Sequence, residues 1–181
     1  MHYDAHSPFY ERLLALLEAA LAARESDETL AEYRERPELD ALVQELRTWD
    51  GQMLRESTTA VLMHVVMARA AQDVLLDDLS FLYAPIYDAS PILAMKWALQ
   101  ALENDVEALV ENPHATVLGA LAYASDWLSE DFETRPTWGQ LHVLELQASA
   151  GVFERDLIPM DGGNGTLNVA RSRFREDVSE D

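Results

Sequence analysis

The sequence predicts a mainly α-helical fold of five or six packed helices, followed by a short extended part. Apolar residues recur at steps of three and four through most of the first 135 residues, and Ser-Pro pairs stand where two helices would begin. Later in the chain, Leu144 and Leu146 alternate with polar residues, which is typical of a strand. We therefore predict a helical segment over 1–135, an extended segment over 136–170 and a frayed, acidic tail over 171–181.

The first helices are predicted from their start signals and apolar stripes. Ser7-Pro8 opens the first helix, since serine can cap a helix and proline fits its first position. A short helical stretch over 29–34 follows, and Pro37 precedes another stripe. Residues 53–79 are then predicted to form one long helix, apolar on nearly all sides and therefore central.

The later elements follow the same logic. Ser90-Pro91 begins a helix whose apolar stripe runs to Leu109, and residues 117–128 are predicted to be helical again. Three glycines between Asp161 and Gly165 predict a loop, and the residues after it predict a short strand.

Charge is the most unusual property of the composition. Thirty-three acidic residues face thirteen basic ones, which gives a formal charge of −20 and argues against nucleic acid or an anionic membrane as a partner. Twelve of the basic residues are arginine, and Lys96 is the only lysine. The acidity either serves solubility alone or reflects adaptation to concentrated salt. We favour salt adaptation, because the scarcity of lysine accompanies the excess of acid and because about 1 M salt reduces the screening length to roughly 3 Å.

Several classes of protein are disfavoured by what the sequence lacks. It has no uninterrupted apolar stretch of roughly 20 residues, so no membrane-spanning helix is expected. Its start at Met1 carries no signal-peptide pattern. It also has no cysteine, which excludes disulfides, thiolate metal sites and a cysteine nucleophile.

Three separated stretches carry motifs. In chain order they read Trp49-Asp50-Gly51-Gln52-Met53, then Thr137-Trp138-Gly139-Gln140-Leu141-His142, and finally Asp161-Gly162-Gly163-Asn164-Gly165-Thr166-Leu167-Asn168-Val169-Ala170. Together, in this order and spacing, they resemble the penicillin acylase family of N-terminal-nucleophile hydrolases. The chain departs from the family where it reads Gln147-Ala148-Ser149-Ala150-Gly151, since family members often carry a His-Pro-Leu-Gly-like segment there.

The resemblance implies the helical portion of an αββα enzyme that hydrolyses the side-chain amide of penicillin, an antibiotic, or of related acyl amides. In such enzymes the α-amino group of an N-terminal serine serves as the base for its own hydroxyl. Ser57 matches a family position inside a helix, not the nucleophile. We therefore expect an internal or C-terminal part of the β-chain, with no catalytic residue of its own, no activity alone, and no cofactor or metal.

The motif residues also have structural interpretations that do not depend on the resemblance. Asp50-Gly51 is typical of a tight turn, with glycine at positive φ and the aspartate accepting from a backbone amide, while Trp49 packs the turn against the core. The glycines of the 161–165 loop allow the backbone to pack closely or to approach a ligand. We favour a plain connecting loop.

Histidines give few candidates for a site. His64 has no metal-binding partner four residues away and is predicted to be a core or interface residue. His142 either orients strands near the active site of the parent enzyme or is simply packed and hydrogen-bonded, which we favour. The residues that the resemblance brings nearest to substrate are His142, Gly163, Asn164 and Asn168.

Two functions remain open. As part of an acylase, the chain should expose apolar surface that binds the remainder of the parent enzyme or a second copy of itself. The alternative is a freestanding, acidic, helical interaction module.

Overall fold

The computed structural model describes residues 4–79, 85–87, 90–146, 156–163, 166 and 173–174. It is mainly helical with a small antiparallel sheet near the C-terminal end, as predicted. Residues 85–87 form a helical turn. The other elements are α1 (Tyr10–Ala23), a 3-10 helix (Glu28–Tyr33), α2 (Pro37–Thr48), α3 (Thr58–Leu79), α4 (Pro91–Glu103), α5 (Pro113–Glu130), α6 (Trp138–Leu141), β1 (His142–Leu146), β2 (Asp156–Pro159) and β3 (Arg173–Phe174).

Helix α3 is the central element, as its apolar composition predicts. It packs against α2, α4, α5 and α6, while α1 packs against α2, α4 and α5. By length and mean hydropathy the stretch Thr58–Leu76 is apolar enough to cross a membrane. However, 67% of its most apolar 18 residues are buried by the rest of the chain, as in the core helix of a globular protein.

Helix α1 begins at Tyr10, later than the Ser7-Pro8 signal predicts. The Oγ atom of Ser7 accepts a hydrogen bond from the backbone N–H of Phe9 at 3.3 Å, within the turn before the helix. Ser7 itself is buried. The serine therefore shapes the entry to α1 without being its cap.

Helix α3 begins at Thr58, so the prediction of a helix from Met53 onward is wrong at its start. Ser57 precedes the helix and caps it, because its Oγ accepts a hydrogen bond from the N–H of Ala60 at 3.0 Å. The expectation that Ser57 lies inside a helix is corrected accordingly. Residues 53–57 are thereby left as a non-helical segment that other parts of the chain contact.

Helix α4 ends at Glu103, well before the predicted Leu109. The side-chain amide of Asn104 donates to the carbonyl oxygen of Gln100 at 2.6 Å, and Asp105 has a φ of 47°. Such a φ ends a right-handed helix, and Asp and Asn tolerate it better than most residues.

Helix α5 begins earlier than the predicted 117–128. Asn112 caps it by accepting from the N–H of Ala115 at 3.1 Å, and Pro113 occupies its first turn. His114 lies in the first turn of α5.

The sheet has the order β2-β1-β3, and both pairs are antiparallel. In the longer pair Val143 faces Pro159 and Leu146 faces Asp156, which confirms the strand predicted from Leu144 and Leu146. β3 lies within the predicted tail and pairs with the start of β1. Of the strand predicted after the glycine-rich loop, residues 167–169 lie outside the described residues.

Candidate functional site

The Trp49-Asp50-Gly51 motif forms the predicted turn. Gly51 has a φ of 77°, a backbone conformation that favours glycine. The Asp50 side chain accepts from the N–H of Gln52 at 3.0 Å, as the sequence suggested.

The turn is held from two sides. The hydroxyl of Tyr10 lies 2.8 Å from the carbonyl oxygen of Leu46 and 2.9 Å from that of Trp49, so it bonds the last carbonyls of the α2 region. The Tyr10 and Trp49 rings meet edge-on at 5.0 Å. On the other side, residues 5–7 pair with residues 51–53 through Ser7 N–H to Gly51 O and Met53 N–H to Ala5 O, both at 2.9 Å.

The second motif docks onto the segment that follows this turn. The backbone N–H of Trp138 donates to Ser57 O at 2.9 Å, and that of Gly139 donates to Arg55 O at 2.8 Å. A Cβ at Gly139 would lie only 2.7 Å from the Cβ of Arg55 and 2.9 Å from that of Pro159. Glycine is therefore required for this close approach.

The third motif completes the cluster through Trp138, whose side chain is fully buried. Its indole Nε1 donates to the carbonyl oxygen of Gly162 at 2.6 Å, while the N–H of Gly162 donates to Met53 O, also at 2.6 Å. A Cβ at Gly163 would lie 3.1 Å from Cζ2 of Trp138. All three motifs thus meet around one indole ring, which we call the motif junction: Met53, Trp138, Gly162 and Gly163.

His142 stacks on the Trp138 ring of this junction. Its ring lies 4.6 Å from the Trp138 ring at an angle of 19°. Its Nδ1 lies 3.2 Å from the carbonyl oxygen of Met160, whose N–H donates to the carbonyl oxygen of His142 at 3.0 Å. Burial lowers the pKa of His142, and the Met160 carbonyl and the Asp161 carboxylate oppose that shift. This geometry agrees with the interpretation of His142 as a packed, hydrogen-bonded residue.

His64 reaches the same indole from α3. Its ring centroid lies 5.1 Å from that of Trp138, and the residue is buried, as predicted for a core histidine. Burial, with a smaller contribution from His142, lowers the pKa of His64 to about 3. Its imidazole is therefore neutral near pH 7.

An open groove lies beside the junction. Asp161 contacts one of its lining residues: its carboxylate accepts from the Arg55 N–H at 2.7 Å and lies 3.8 Å from the Nε of Arg55. The groove has a volume of about 430 Å³ and a mostly apolar wall. Its lining residues are Arg55, Glu56, Thr137, Gly139, Gln140, Val143, Leu157 and Pro159.

Of the four predicted substrate-proximal residues, the structure brings His142 and Gly163 together on the ring of Trp138. Asn164 and Asn168 lie outside the described residues. Sequence reasoning did not identify Trp138 as the centre of the cluster. The only signal in the sequence was that Trp138 lies between two other motifs that contain glycine. The spacing of the three motifs along the chain does not show which segments meet in the fold.

The hydroxyl groups around the junction are bonded to neighbouring backbone and side-chain groups. Ser57 caps α3, and the Oγ1 of Thr166 both accepts from the Gly163 N–H at 2.8 Å and donates to the Gly163 carbonyl at 3.1 Å. Thr137 Oγ1 donates to Gln140 Oε1 at 3.2 Å. Within the described parts of the chain, no three His, Cys, Asp or Glu side chains lie close enough to share a metal ion.

Comparison with known families gives one finding that covers nearly the whole chain. The family model described as penicillin amidase matches residues 1–180. The match therefore includes all three motifs and every element of the fold. No curated protein matches the chain.

Proposed function

We propose that this chain, which belongs to the penicillin amidase family, supplies the helical layer of an amidohydrolase whose N-terminal serine nucleophile is carried outside these 181 residues. The whole enzyme hydrolyses the side-chain amide of a penicillin or of a related acyl-amino compound. The chain alone has no such activity. Its helices cover the catalytic sheet and its motif junction shapes the rim of the site.

The motif junction is the observation that carries this proposal. Three stretches that resemble the family are far apart in sequence, yet Met53, Trp138 and Gly162 are joined by two hydrogen bonds of 2.6 Å. An accidental likeness of three short motifs gives no reason for them to meet. A shared scaffold does give a reason for the three motifs to meet, because the residues that hold a scaffold together are the ones that its fold requires.

The roles of the hydroxyl groups support inactivity of the chain alone. A serine nucleophile needs a base within about 3 Å of its hydroxyl and donors for the oxyanion. Ser57 is engaged as a helix cap, and Thr137 and Thr166 are bonded to neighbouring acceptors. These groups stabilise the rim and are not arranged for attack on an amide.

Concentrated salt is the proposed solvent. Arginine supplies the cation in each ion pair between described residues, including pairs that join separate helices: Arg12 with Glu103, and Arg36 with Asp126. The net charge of −20 already counts every arginine, so the acidic residues still exceed the basic ones by twenty. The remaining repulsion needs screening, which molar salt supplies.

The test is an assay of the chain in molar KCl, alone and together with the polypeptide from the same locus that becomes Ser-led after autocleavage. Phenylacetylated amides and acyl-homoserine amides are the substrates. We expect no turnover by the chain alone and turnover by the combination. If autocleavage is demonstrated and neither amide is hydrolysed, the amidase proposal is wrong, and the freestanding interaction module becomes the better account.

A further inference from the structure

Helix α4 has one face that the described fold leaves uncovered. Its inner side packs on α3 and is buried through Ala94, Met95, Ala98, Leu99, Ala101 and Leu102. Its outer side is exposed and consists of Ile92, Leu93, Lys96, Trp97 and Gln100, which we call the α4 face. Trp97 is 42% exposed, and Ile92 and Leu93 are each 37% exposed.

The sequence of α4 is that of a helix buried on both sides. From residue 89 to residue 102 it has no carboxylate, although acidic residues make up 33 of the 181. Comparable stretches without acid occur in α3 and at the start of α5, but there every residue except Tyr123 is buried or partly buried. A helix that is apolar nearly all round is normally covered all round. The α4 face is the exception within the described chain, and this asymmetry calls for a covering surface.

The charges on the α4 face indicate what kind of partner surface fits it. The α4 face carries Lys96, the only lysine of the chain, and Gln100 beside an exposed tryptophan. The only carboxylate of α4, Glu103, pairs with Arg12 at the far end. A partner with an apolar surface and a carboxylate opposite Lys96 meets no repulsion here, whereas other helices expose acid, such as Glu11 on α1 and Asp40 on α2.

The size of the face argues against a dimer of this chain that forms through α4 alone. A helix of 13 residues is roughly 20 Å long and about 10 Å wide, so the strip covers about 200 Å². A stable interface buries about 800 Å² per partner. Two copies meeting only through α4 would fall far short of that area. A partner that also touches the chain elsewhere does not have this limit.

We infer that the α4 face is a contact surface for the Ser-led polypeptide of the amidase, which presents an apolar surface with a carboxylate facing Lys96. This inference rests on the proposed function and adds the place of contact and its chemistry. Trp97 is the central residue, because large aromatic side chains that become desolvated at a contact contribute most to its stability.

The experiment uses the chain and the Ser-led polypeptide of the same locus, produced together in molar KCl. Affinity is measured for the wild-type chain, for Trp97→Glu and for Leu93→Gln. Tyr123→Glu is the matched control, since Tyr123 is 43% exposed on α5 and its substitution adds the same charge. Circular dichroism establishes that each variant keeps its helices.

We expect Trp97→Glu to weaken the complex at least tenfold, Leu93→Gln to weaken it less, and Tyr123→Glu to leave it unchanged. A carbodiimide should couple the Lys96 amine to a carboxylate of the Ser-led polypeptide, identified by peptide mapping. Lys96→Arg should abolish that coupling while the complex persists, because the charge remains.

Other outcomes overturn the inference in different ways. If the complex is active and Trp97→Glu binds like wild type, the α4 face is the wrong surface while the amidase proposal stands. If Lys96 couples to a carboxylate of another copy of this chain, the occupant is a second copy. If the wild-type chain neither binds the Ser-led polypeptide nor supports turnover, the inference and the proposed function both fail.

Discussion

The indole nitrogen of Trp138 donates a 2.6 Å hydrogen bond to the carbonyl oxygen of Gly162, and this bond joins α6 to the glycine-rich loop. The N–H of the same glycine donates to Met53 O, so one residue of the loop is held from both sides. Two histidine rings, His64 and His142, lie against the indole. The stability of the C-terminal part should therefore depend on this one side chain.

Replacing Trp138 with phenylalanine should destabilise the chain by about 1–3 kcal/mol for the unsatisfied Gly162 carbonyl alone, with a further loss from the smaller ring. Urea unfolding at constant molar KCl measures the difference. Trp97→Phe is the control, because an exposed tryptophan should change stability by less than about 0.5 kcal/mol. Equal effects of the two substitutions would contradict the role assigned to the indole.

Gly139→Ala should destabilise the chain by about 1–3 kcal/mol, since its Cβ would overlap both Arg55 and Pro159. Gly119→Ala in α5 is the comparison, because there the new Cβ meets only the Tyr33 hydroxyl, at 3.2 Å. Replacing a helical glycine with alanine gains up to about 1 kcal/mol of helix propensity, which offsets that contact. Thermal unfolding of both variants is the measurement. Finding Gly139→Ala no less stable than Gly119→Ala would rule out the close approach.

Stability should fall as the pH drops below about 6.5, the pKa of an unperturbed histidine. His64 has a pKa of about 3 in the folded chain, so the unfolded chain binds one more proton between these values. The slope is about 1.4 kcal/mol per pH unit, which amounts to about 2 kcal/mol between pH 7 and pH 5. Unperturbed carboxylates titrate at about pH 4, mostly below this window.

His64→Met should remove the part of this pH dependence that His64 causes and leave the part expected from His142, whose pKa burial also lowers. Methionine adapts to the surrounding Met63, Met67 and Met95 and does not titrate. His114→Gln, at a partly exposed site in α5, is the control substitution. Free energies of unfolding at pH 7, 6 and 5 in constant salt provide the comparison. Identical slopes for His64→Met and wild type would refute a neutral, buried His64.

Dilution of the salt should also destabilise the fold. Lowering KCl from about 1 M to about 0.1 M lengthens the screening distance from roughly 3 Å to about 10 Å, and the carboxylates then repel one another across the surface. The midpoint of urea unfolding should fall accordingly. In a variant in which Glu25, Glu35 and Asp131 are replaced by glutamine, glutamine and asparagine, the dependence of this midpoint on the KCl concentration should weaken. A midpoint that is unchanged or higher in dilute salt would argue for solubility alone as the reason for the acidity.

The sequence predicts the helices well because apolar periodicity reports directly which face is buried. Helix ends were less predictable, since they depend on single contacts such as the Ser57 cap of α3 and the positive φ of Asp105. The motif junction could not be predicted from spacing. Met53 and Gly162 are brought together only when α3, α6 and the sheet have packed, and no local pattern encodes that distance.

The backbone N–H of Arg55 bonds to the carboxylate of Asp161 across 106 residues of chain. Each helix forms from local contacts within its own segment, whereas this bond needs two distant parts of the chain to meet. We therefore expect the helices to assemble early in folding and the glycine-rich segment to dock last. The groove beside Gly139 would then be the last feature to appear during refolding and the first to disappear during unfolding.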